Sequence, residues 1–265
     1  LPTLEAMKTD ASAYCRGLAD TPDLSAEQID ALVTQAEERL SAIKFETDWD
    51  AAFGNADLVV ECINENPQEK TEFYTKLSAH LPERTVILTD SSTMLPSMFA
   101  EATGRPDKYM SLHFGNQIWR NNMTEPMRHD GTNPEVFELA AQFAEAIGMV
   151  PLKLNREQPG YILNSLLIPW FKAATSLVAT GVCDAETVDK CWELATGADP
   201  GQTPFRKLDK IGLVLARNIL SMDPAAKDPA SGLAKSVTML NGYIDEGKTG
   251  IAAGEGFYKY ESYDK

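Results

Sequence analysis

Cysteine, histidine and positive charge are all scarce in this sequence. Its 265 residues include four cysteines, Cys15, Cys62, Cys183 and Cys191. None of them forms a CxxC pair or a Cys/His cluster with the spacing of a metal site. We therefore expect reduced thiols in a cytoplasmic protein without a bound metal. The chain is nevertheless long enough to bury a sizeable core without disulfides or structural metals.

The shortage of positive charge excludes whole classes of partner. The 24 Lys and Arg residues stand against 39 Asp and Glu, so the formal net charge is -15. Nucleic acids and anionic membranes are bound through clustered Lys and Arg, so we expect neither as a partner. An unbroken apolar run of about 20 residues, which a membrane span needs, is also lacking. The first residues, LPTLEAMKTDASAYC, have neither the basic start nor the apolar core of a signal peptide.

Short apolar segments and amphipathic helices alternate up to about residue 155. The segments 56–63, 85–90, 108–114 and 149–155 have the continuous apolar character of strands that are buried on both faces. Helices are predicted at 4–19, at 25–43, from Pro67 onwards and at 134–148, with a short helical stretch at 95–103. Strands that alternate with helices through short joins are typical of a parallel α/β sheet.

The pattern becomes entirely helical after Asn155. Helices are predicted at 161–181, 184–197, 209–222 and 230–245. The first of them is apolar on all sides, which predicts burial, while Asn164 and Lys172 argue against a membrane-spanning helix. We therefore predict an α/β domain over 1–155 and an all-α domain over 156–265.

A general base for neutral pH has to be chosen from only three histidines. His80 precedes Leu81-Pro82 and is expected in a solvated turn. His129 lies in the polar run RHDGTNP and is expected in a loop. His113 ends the predicted strand 108–114, and ligands of open α/β sheets bind at the carboxyl ends of the strands. A packed or capping histidine remains the alternative at that position.

Polar residues end the other two strands of the same region. Glu65 follows the strand at 56–63, Ser91 and Ser92 follow 85–90, and Asn116 comes just after His113. Serine and asparagine are common in turns whatever their function, so each residue alone is weak evidence. Their placement at one edge of the sheet is what indicates a site.

The sequence resembles the 3-hydroxyacyl-CoA dehydrogenase family over nearly all of its length. The resemblance is carried by ADLVVECINEN (56–66), SS (91–92), HFGN (113–116), Glu125 twelve residues after His113, PGYILNSLLIP (159–169) and GEGFYKY (254–260). The PGYILNSLLIP segment and the His-to-Glu spacing are specific, and GEGFYKY is supportive.

The resemblance implies a Rossmann-like, doubly wound NAD-binding domain followed by an all-α domain that forms a homodimer. It also implies reversible NAD-dependent oxidation of a 3-hydroxyacyl-CoA to a 3-oxoacyl-CoA, a reaction of fatty acid β-oxidation. In this family pattern His113 is the general base and Glu125 orients its imidazole. Ser92 and Asn164 match residues that hydrogen-bond the reacting oxygen and its surroundings.

The same resemblance assigns the binding residues. Glu65, Ser92 and Asn116 match positions that contact the cofactor, and Ser92 and Asn164 also contact the substrate. Lys70 matches a lysine expected to meet the CoA part of the acyl-CoA substrate, where it would supply local positive charge.

The sequence departs from the family pattern at its start. The family opens with a strand, a G-x-G-x-x-G turn, a helix and a second strand, and no such fingerprint occurs before residue 17. We therefore expect a Rossmann-like domain that is incomplete at its N-terminal end, and weak dinucleotide binding by residues 1–265 alone, because this turn holds the pyrophosphate. Near His113, Gly115 and Gln117 replace an aromatic residue and a proline, so the wall around the acyl group is expected to differ.

Two alternative functions remain open. One is a dehydrogenase that acts on a free β-hydroxy acid; that group relies on a catalytic lysine, and the pair of His113 and Glu125 argues against it. The other is a non-catalytic or inactivated relative that binds acyl-CoA, because a fold does not fix a function. The retention of Ser92, His113, Glu125 and Asn164 favours an enzyme.

Overall fold

The structure is a computed structural model that describes residues 25–115, 118 and 121–260. The strands are β1 (Leu58–Glu61), β2 (Val86–Thr89), β3 (Tyr109–Phe114), β4 (Met123–Met127) and β5 (Val150–Pro151). The helices are α1 (Ala26–Ser41), α2 (Trp49–Phe53), α3 (Pro67–Ser78), α4 (Pro134–Ala146), α5 (Tyr161–Ala179), α6 (Ala185–Thr196), α7 (Pro204–Ile211), α8 (Leu213–Ser221) and α9 (Gly232–Asp245). Single 3-10 turns are formed at Pro96–Met98, Glu101–Thr103, Pro106–Lys108, Pro200–Gln202, Pro224–Lys227 and Ile251–Ala253. The helix predicted at 4–19 and the candidate residue Asn116 lie outside the described residues.

Residues 25–57 and 79–85 form one compact unit. Its helix α1 begins after Ser25, whose side chain accepts from the Gln28 backbone while the Gln28 side chain accepts from the Ser25 backbone. This is the capping box that S-A-E-Q predicts. His80 also belongs to this unit, and its Nδ1 lies 2.6 Å from Asp50 Oδ1.

The second compact unit, formed by the described residues of 58–78 and 86–260, contains a five-stranded sheet in the order β1-β2-β3-β4-β5. The pairs β1–β2, β2–β3 and β4–β5 are parallel, and β3–β4 is antiparallel. The predicted parallel sheet is confirmed for three of the four strand pairs, and the antiparallel strand β4 is an addition that the sequence pattern did not predict. Its sequence, MTEPM, contains Glu125 and Pro126, residue types that are depleted in strands.

Both faces of the sheet are covered by helices. Along a strand alternate residues point to opposite faces. On one face Val86, Leu88, Met110 and Leu112 pack in a core with Val136, Phe137, Ala140 and Ala144 of α4. On the other face the Tyr109 ring lies 5.2 Å from the ring of Tyr74 in α3. A largely parallel sheet between two helical layers confirms the Rossmann-like α/β architecture.

The chain beyond β5 is helical, as predicted. Residues of α5, α7, α8 and α9 share one core: Phe171, Ala174, Phe205, Leu208, Leu213, Ala216, Leu220, Leu233 and Leu240. Helix α6 has the Asp184 cap and the left-handed Gly197 that its sequence predicts. The boundary predicted after residue 155 falls in the connection between β5 and α5 and stays a prediction.

Helix α5 is less buried than its sequence predicts. Only Tyr161, Phe171, Ala174 and Thr175 of its 19 residues are buried within the chain. By length and composition the helix is apolar enough to cross a membrane, a test that core helices of soluble proteins also pass. Lys172, inside the helix, forms an ion pair with Asp223 at 2.5 Å.

Candidate active site

The imidazole of His113 and the carboxylate of Glu125 face each other across two strands. The antiparallel register of β3 and β4 sets the two residues directly opposite. His113 Nδ1 lies 3.0 Å from Glu125 Oε2, and both side chains are almost completely buried. The twelve-residue spacing in the sequence therefore separates two residues that face each other across neighbouring antiparallel strands.

The second oxygen of Glu125 binds the N-terminus of helix α5. Oε1 accepts hydrogen bonds from the backbone N–H groups of Ile162 and Leu163, both at 2.9 Å. The first N–H groups of a helix have no partner inside it, and the helix dipole favours a negative charge there. The helix therefore supplies two of the hydrogen-bond donors that this fully buried side chain requires.

These contacts decide which nitrogen of His113 is the base. Since the Glu125 carboxylate accepts, His113 Nδ1 carries the proton and Nε2 keeps its lone pair. Nε2 lies 3.2 Å from the hydroxyl of Ser92, which follows β2 and is exposed. The arrangement of carboxylate, imidazole and hydroxyl is that of an oriented general base next to a polar group.

Asn164 lies in the same turn of α5 that caps Glu125. Its backbone N–H donates to Gly160 O at 3.0 Å, and its side chain is half-buried. The structure thus brings together Ser92, His113, Glu125 and the helical turn of Asn164, the four residues predicted to be catalytic.

Tyr161 is a site residue that the sequence reasoning missed. Its ring is buried and stacks on the imidazole of His113, with centroids 4.5 Å apart and planes 15° apart. Its hydroxyl donates to Ser91 O at 2.6 Å. The backbone reaches this position through two successive left-handed residues, Gly160 with φ 78° and Tyr161 with φ 53°. The PGY segment that carried the family resemblance contained the signal.

Glu65 is held at the carboxyl ends of β1 and β2. Its Oε1 accepts from Ser91 Oγ at 2.6 Å and from the backbone and hydroxyl of Thr93, both at 2.9 Å. Burial alone would raise the pKa of Glu65, but the hydrogen bonds from Ser91 and Thr93 outweigh it, so the pKa lies below its ordinary value. Glu65 is therefore a fixed anion at this edge of the sheet.

Lys70 does not offer the free positive charge that was expected for CoA. Its side chain is 1% exposed, and its Nζ lies 2.7 Å from the buried carboxylate of Glu61 and 3.6 Å from Glu65. The other oxygen of Glu61 accepts from Thr89 at 2.7 Å and from the hydroxyl of Tyr74. The charge of Lys70 is therefore not free, because β1 ends in the buried carboxylate of Glu61, which needs a cation, and Lys70 supplies it. Lys70 lies beneath Glu65 at the carboxyl end of β1, and its contact with CoA stays a prediction.

A cavity of about 220 Å³ lies at these strand ends, lined by Cys62, Ile63, Glu65, Lys70, Asp90, Ser91 and Ser92. Burial first, and then the carboxylates of Asp90 and Glu61, raise the pKa of the Cys62 thiol to about 11, so this thiol is protonated at neutral pH and is not a nucleophile. Lys70 is the one cation among the described lining residues, and it is paired with Glu61. The lining therefore suits hydroxyl groups and an uncharged or cationic group better than it suits a pyrophosphate.

The other two histidines are occupied elsewhere. His129 is buried, accepts from Gly131 N–H at Nδ1 and donates from Nε2 to Pro106 O, so both ring nitrogens have partners. His129 lies in a loop, as predicted, but it holds that loop rather than facing solvent. His80 pairs with Asp50. His113 is the one histidine with a ring nitrogen directed at the hydroxyl of Ser92.

Comparison with known proteins agrees with this geometry. A model of the NAD-binding domain of 3-hydroxyacyl-CoA dehydrogenase matches residues 5–158, and a model of the C-terminal domain of the same family matches residues 160–260. A human mitochondrial hydroxyacyl-coenzyme A dehydrogenase is 33% identical over 240 residues, which cover 89% of this chain and 74% of that protein. A probable 3-hydroxybutyryl-CoA dehydrogenase of Deinococcus radiodurans is 30% identical over 86% of this chain and 80% of its own length.

A solved diketoreductase, described in a study of the catalysis of dicarbonyl compounds, is also similar. It is 40% identical with a TM-score of 0.83, and the match covers 97% of this chain and 86% of that one. Together with the two domain models, which span almost the whole chain, these relatives settle the family. The chain belongs to the 3-hydroxyacyl-CoA dehydrogenase family of NAD-dependent oxidoreductases.

Proposed function

We propose that this protein interconverts a 3-hydroxyacyl-CoA and the corresponding 3-oxoacyl-CoA, with His113 as the proton-transferring group. The observation that carries the proposal is the pair of contacts made by the imidazole. Glu125 holds Nδ1 at 3.0 Å, and Nε2 faces the Ser92 hydroxyl at 3.2 Å. A secondary alcohol is a very weak acid, so a positioned base has to take its proton as the C3–H bond breaks.

The residues of the chain move and stabilise that proton. In the oxidation direction His113 Nε2 takes the proton of the substrate hydroxyl and becomes an imidazolium. The Glu125 carboxylate, 3.0 Å from Nδ1, balances the new positive charge, and the N–H groups of Ile162 and Leu163 keep that carboxylate in place. Ser92 and Asn164 provide hydrogen-bonding groups for the substrate oxygen and its surroundings. In the reduction direction the imidazolium returns the proton to the same oxygen.

The cofactor end of the site is the cavity at the ends of β1 and β2. NAD, when bound, accepts the hydride from C3 of the substrate. Glu65 and Ser92 are the described residues that would hold its nicotinamide and ribose, with Lys70 beneath Glu65. The fixed anion of Glu65 suits the cationic oxidised ring, which favours binding of NAD ahead of the oxidation step.

A rate measurement with paired variants tests the proposal. We expect the full-length protein to reduce acetoacetyl-CoA with NADH, followed by absorbance of the reduced cofactor, and to leave free acetoacetate nearly untouched. His113→Gln should lower kcat by about 10²–10⁴-fold, the usual contribution of acid–base help. The matched control is His80→Gln, which removes the other histidine paired with a carboxylate. Equal rates for both variants would refute the role of His113.

Reduction of a free dicarbonyl compound is the second candidate function. It is favoured by one observation, the 40% identity over nearly the whole chain to a diketoreductase. The same His113 and Ser92 would serve any ketone that enters the site, so the site geometry does not separate the two substrates. Turnover of a free dicarbonyl compound that exceeds turnover of acetoacetyl-CoA would favour this second function. If neither substrate turns over, thermal-shift titrations with NADH and acyl-CoA test a binding-only relative.

We further infer that the protein is a homodimer of the cytoplasm, without nucleic-acid or membrane partners. The apolar residues exposed on and near α5 and α6 support the dimer: Ile162, Leu166, Leu177, Val182, Trp192 and Leu194. The free thiols of Cys62, Cys183 and Cys191 favour a reducing compartment. The net charge of -15 disfavours phosphate-rich partners.

A further inference from the structure

Tyr161 lies at the centre of the catalytic arrangement, and its hydroxyl is occupied by a backbone carbonyl. Its ring lies against His113 with a centroid distance of 4.5 Å and nearly parallel planes. Its hydroxyl donates to the carbonyl of Ser91, the residue before Ser92. The two residues after it, Ile162 and Leu163, supply the N–H donors for Glu125. One residue thus connects the base, its orienting carboxylate and the loop of the neighbouring hydroxyl.

We propose that Tyr161 is a positioning residue for His113, which fixes the plane of the imidazole and stabilises the imidazolium through its aromatic face. This inference rests on the proposed function, because it assumes that His113 carries the proton. The plane of the ring matters because Nδ1 and Nε2 have to point at Glu125 and at the substrate oxygen together. A residue stacked at 15° prevents rotation about the Cβ–Cγ bond that the two hydrogen bonds alone would allow.

The electrostatic part of the proposal follows from the geometry of the stack. The face of an aromatic ring is negative, and a cation placed over it is stabilised. His113 becomes a cation in each turnover, and three groups from other elements face it: Glu125 from β4, Asp90 from the end of β2 and Tyr161 from α5. The hydroxyl of Tyr161 stays protonated at neutral pH, since burial raises the pKa of this phenol, and it therefore donates steadily to Ser91 O.

The backbone supports a functional reading of this position. Tyr161 is the only non-glycine residue with positive φ among the described residues, at 53°. Left-handed backbone is unfavourable for a bulky side chain and is found where surrounding contacts enforce it, often at functional sites. The reversal at Gly160 and Tyr161 lets one chain segment point its ring at His113 and its following N–H groups at Glu125.

The test compares two substitutions of Tyr161 with a matched control in the full-length protein. Tyr161→Phe keeps the ring and loses the bond to Ser91 O, and Tyr161→Leu loses both. Tyr243→Leu is the control, since it removes a partly buried ring that packs against Phe257 in the helical core. Oxidation of 3-hydroxybutyryl-CoA by NAD is measured as a function of pH, with circular dichroism to verify folding.

We expect Tyr161→Leu to lower kcat by about 2- to 30-fold, with KM nearly unchanged. Its acid limb of kcat/KM should move to lower pH by about 0.4 to 1.5 units, because the imidazolium has lost the aromatic face. Tyr161→Phe should keep the position of that limb, and Tyr243→Leu should keep both kcat and the limb. A folded Tyr161→Leu variant with the kcat and pH profile of the wild type would overturn the role of Tyr161. In that case the proposed function would still stand, because the wild-type protein turns over 3-hydroxybutyryl-CoA.

Histidine NMR provides a readout that does not depend on activity. The three histidines allow the imidazole signals to be assigned with His80→Gln and His113→Gln. In the wild type the carbon-bound protons of His113 should be shifted upfield by the stacked ring and should lose that shift in Tyr161→Leu. Unshifted His113 signals in the folded wild type would overturn the proposal even if the Leu variant does not fold.

Discussion

Replacement of Glu125 by glutamine separates the charge of this residue from its shape. In the native site Oε1 accepts from the N–H groups of Ile162 and Leu163, and Oε2 accepts from His113 Nδ1. Both backbone groups donate, so the oxygen of the new amide has to occupy the position next to the helix. The amide NH2 group then points at His113 Nδ1. Because NH2 donates, Nδ1 has to accept, and the imidazole proton moves to Nε2.

This change of tautomer disables the base without displacing it. Nε2 would carry a proton and could not take another from the substrate hydroxyl. The loss in kcat for a wrongly protonated imidazole in an otherwise intact site is about 10³–10⁴-fold. Since all three hydrogen bonds to residue 125 are retained, we expect the free energy of unfolding to change by about 1–2 kcal/mol or less.

Glu125→Ala is the matched comparison for stability. It leaves Ile162 N–H, Leu163 N–H and His113 Nδ1 buried without an acceptor, and each unsatisfied buried group costs about 1–3 kcal/mol. We expect a loss of roughly 3 kcal/mol or more in urea denaturation, together with the loss of kcat. Rates come from the NADH absorbance assay. A Glu125→Gln variant that keeps more than about a tenth of wild-type kcat, a far smaller loss than the tautomer argument requires, would refute this reasoning.

Three further predictions concern the supporting residues. Lys70→Met should lower the free energy of unfolding by about 3–5 kcal/mol in urea denaturation, because the buried carboxylate of Glu61 loses its cation. The control Lys153→Met breaks an exposed ion pair and should cost about 1 kcal/mol or less. Equal losses for the two variants would contradict the burial argument. The pKa of Glu65 lies below its ordinary 4.5, so the contribution of the Glu65 carboxylate to stability is present above that value and is lost as the pH falls through the lowered pKa. Below about pH 4.5 the free energy of unfolding should therefore depend less on pH for Glu65→Gln than for the wild type. Parallel curves for the two proteins would exclude this contribution. Leu166, 69% exposed on α5, should lie in the dimer interface; sedimentation should give a dimer for the wild type and a monomer for Leu166→Asp, and a wild-type monomer would reject the homodimer.

The sequence predicted the architecture well where hydrophobic patterning was decisive. Strands β1, β2 and β3 are mostly apolar, and their positions were predicted within a few residues. Strand β4 was missed because its buried residues include Thr124 and Glu125, polar side chains that a periodicity argument assigns to loops. The burial of α5 was overestimated because an apolar composition alone does not determine how many residues of a helix pack against the rest of the chain.

The site was predicted in part because strand ends can be read from the sequence. Ser92 follows β2 and His113 lies near the end of β3, and the carboxyl ends of these parallel strands meet at one edge, so their proximity follows from the sheet itself. The partnership of Glu125 with the N-terminus of α5 depends on tertiary contacts 37 and 38 residues apart in sequence, which no local pattern encodes. The resemblance supplied Lys70 as a CoA contact, and only the structure revealed Glu61 as the partner that neutralises it.

The contacts of Glu125 also imply that the active site is complete only when helix α5 is docked on the sheet. The sheet brings His113 and Glu125 together through the β3–β4 register, but without the donors of α5 the Oε1 atom of this fully buried side chain would have no hydrogen-bond partner. A Glu125 side chain that is not held at Oε1 would orient the imidazole poorly. The N-terminus of α5 supplies two of the three donors that Glu125 binds, and the same turn carries Tyr161 and Asn164. Any change that loosens the first turn of α5 is therefore expected to reduce kcat before it reduces the stability of the sheet.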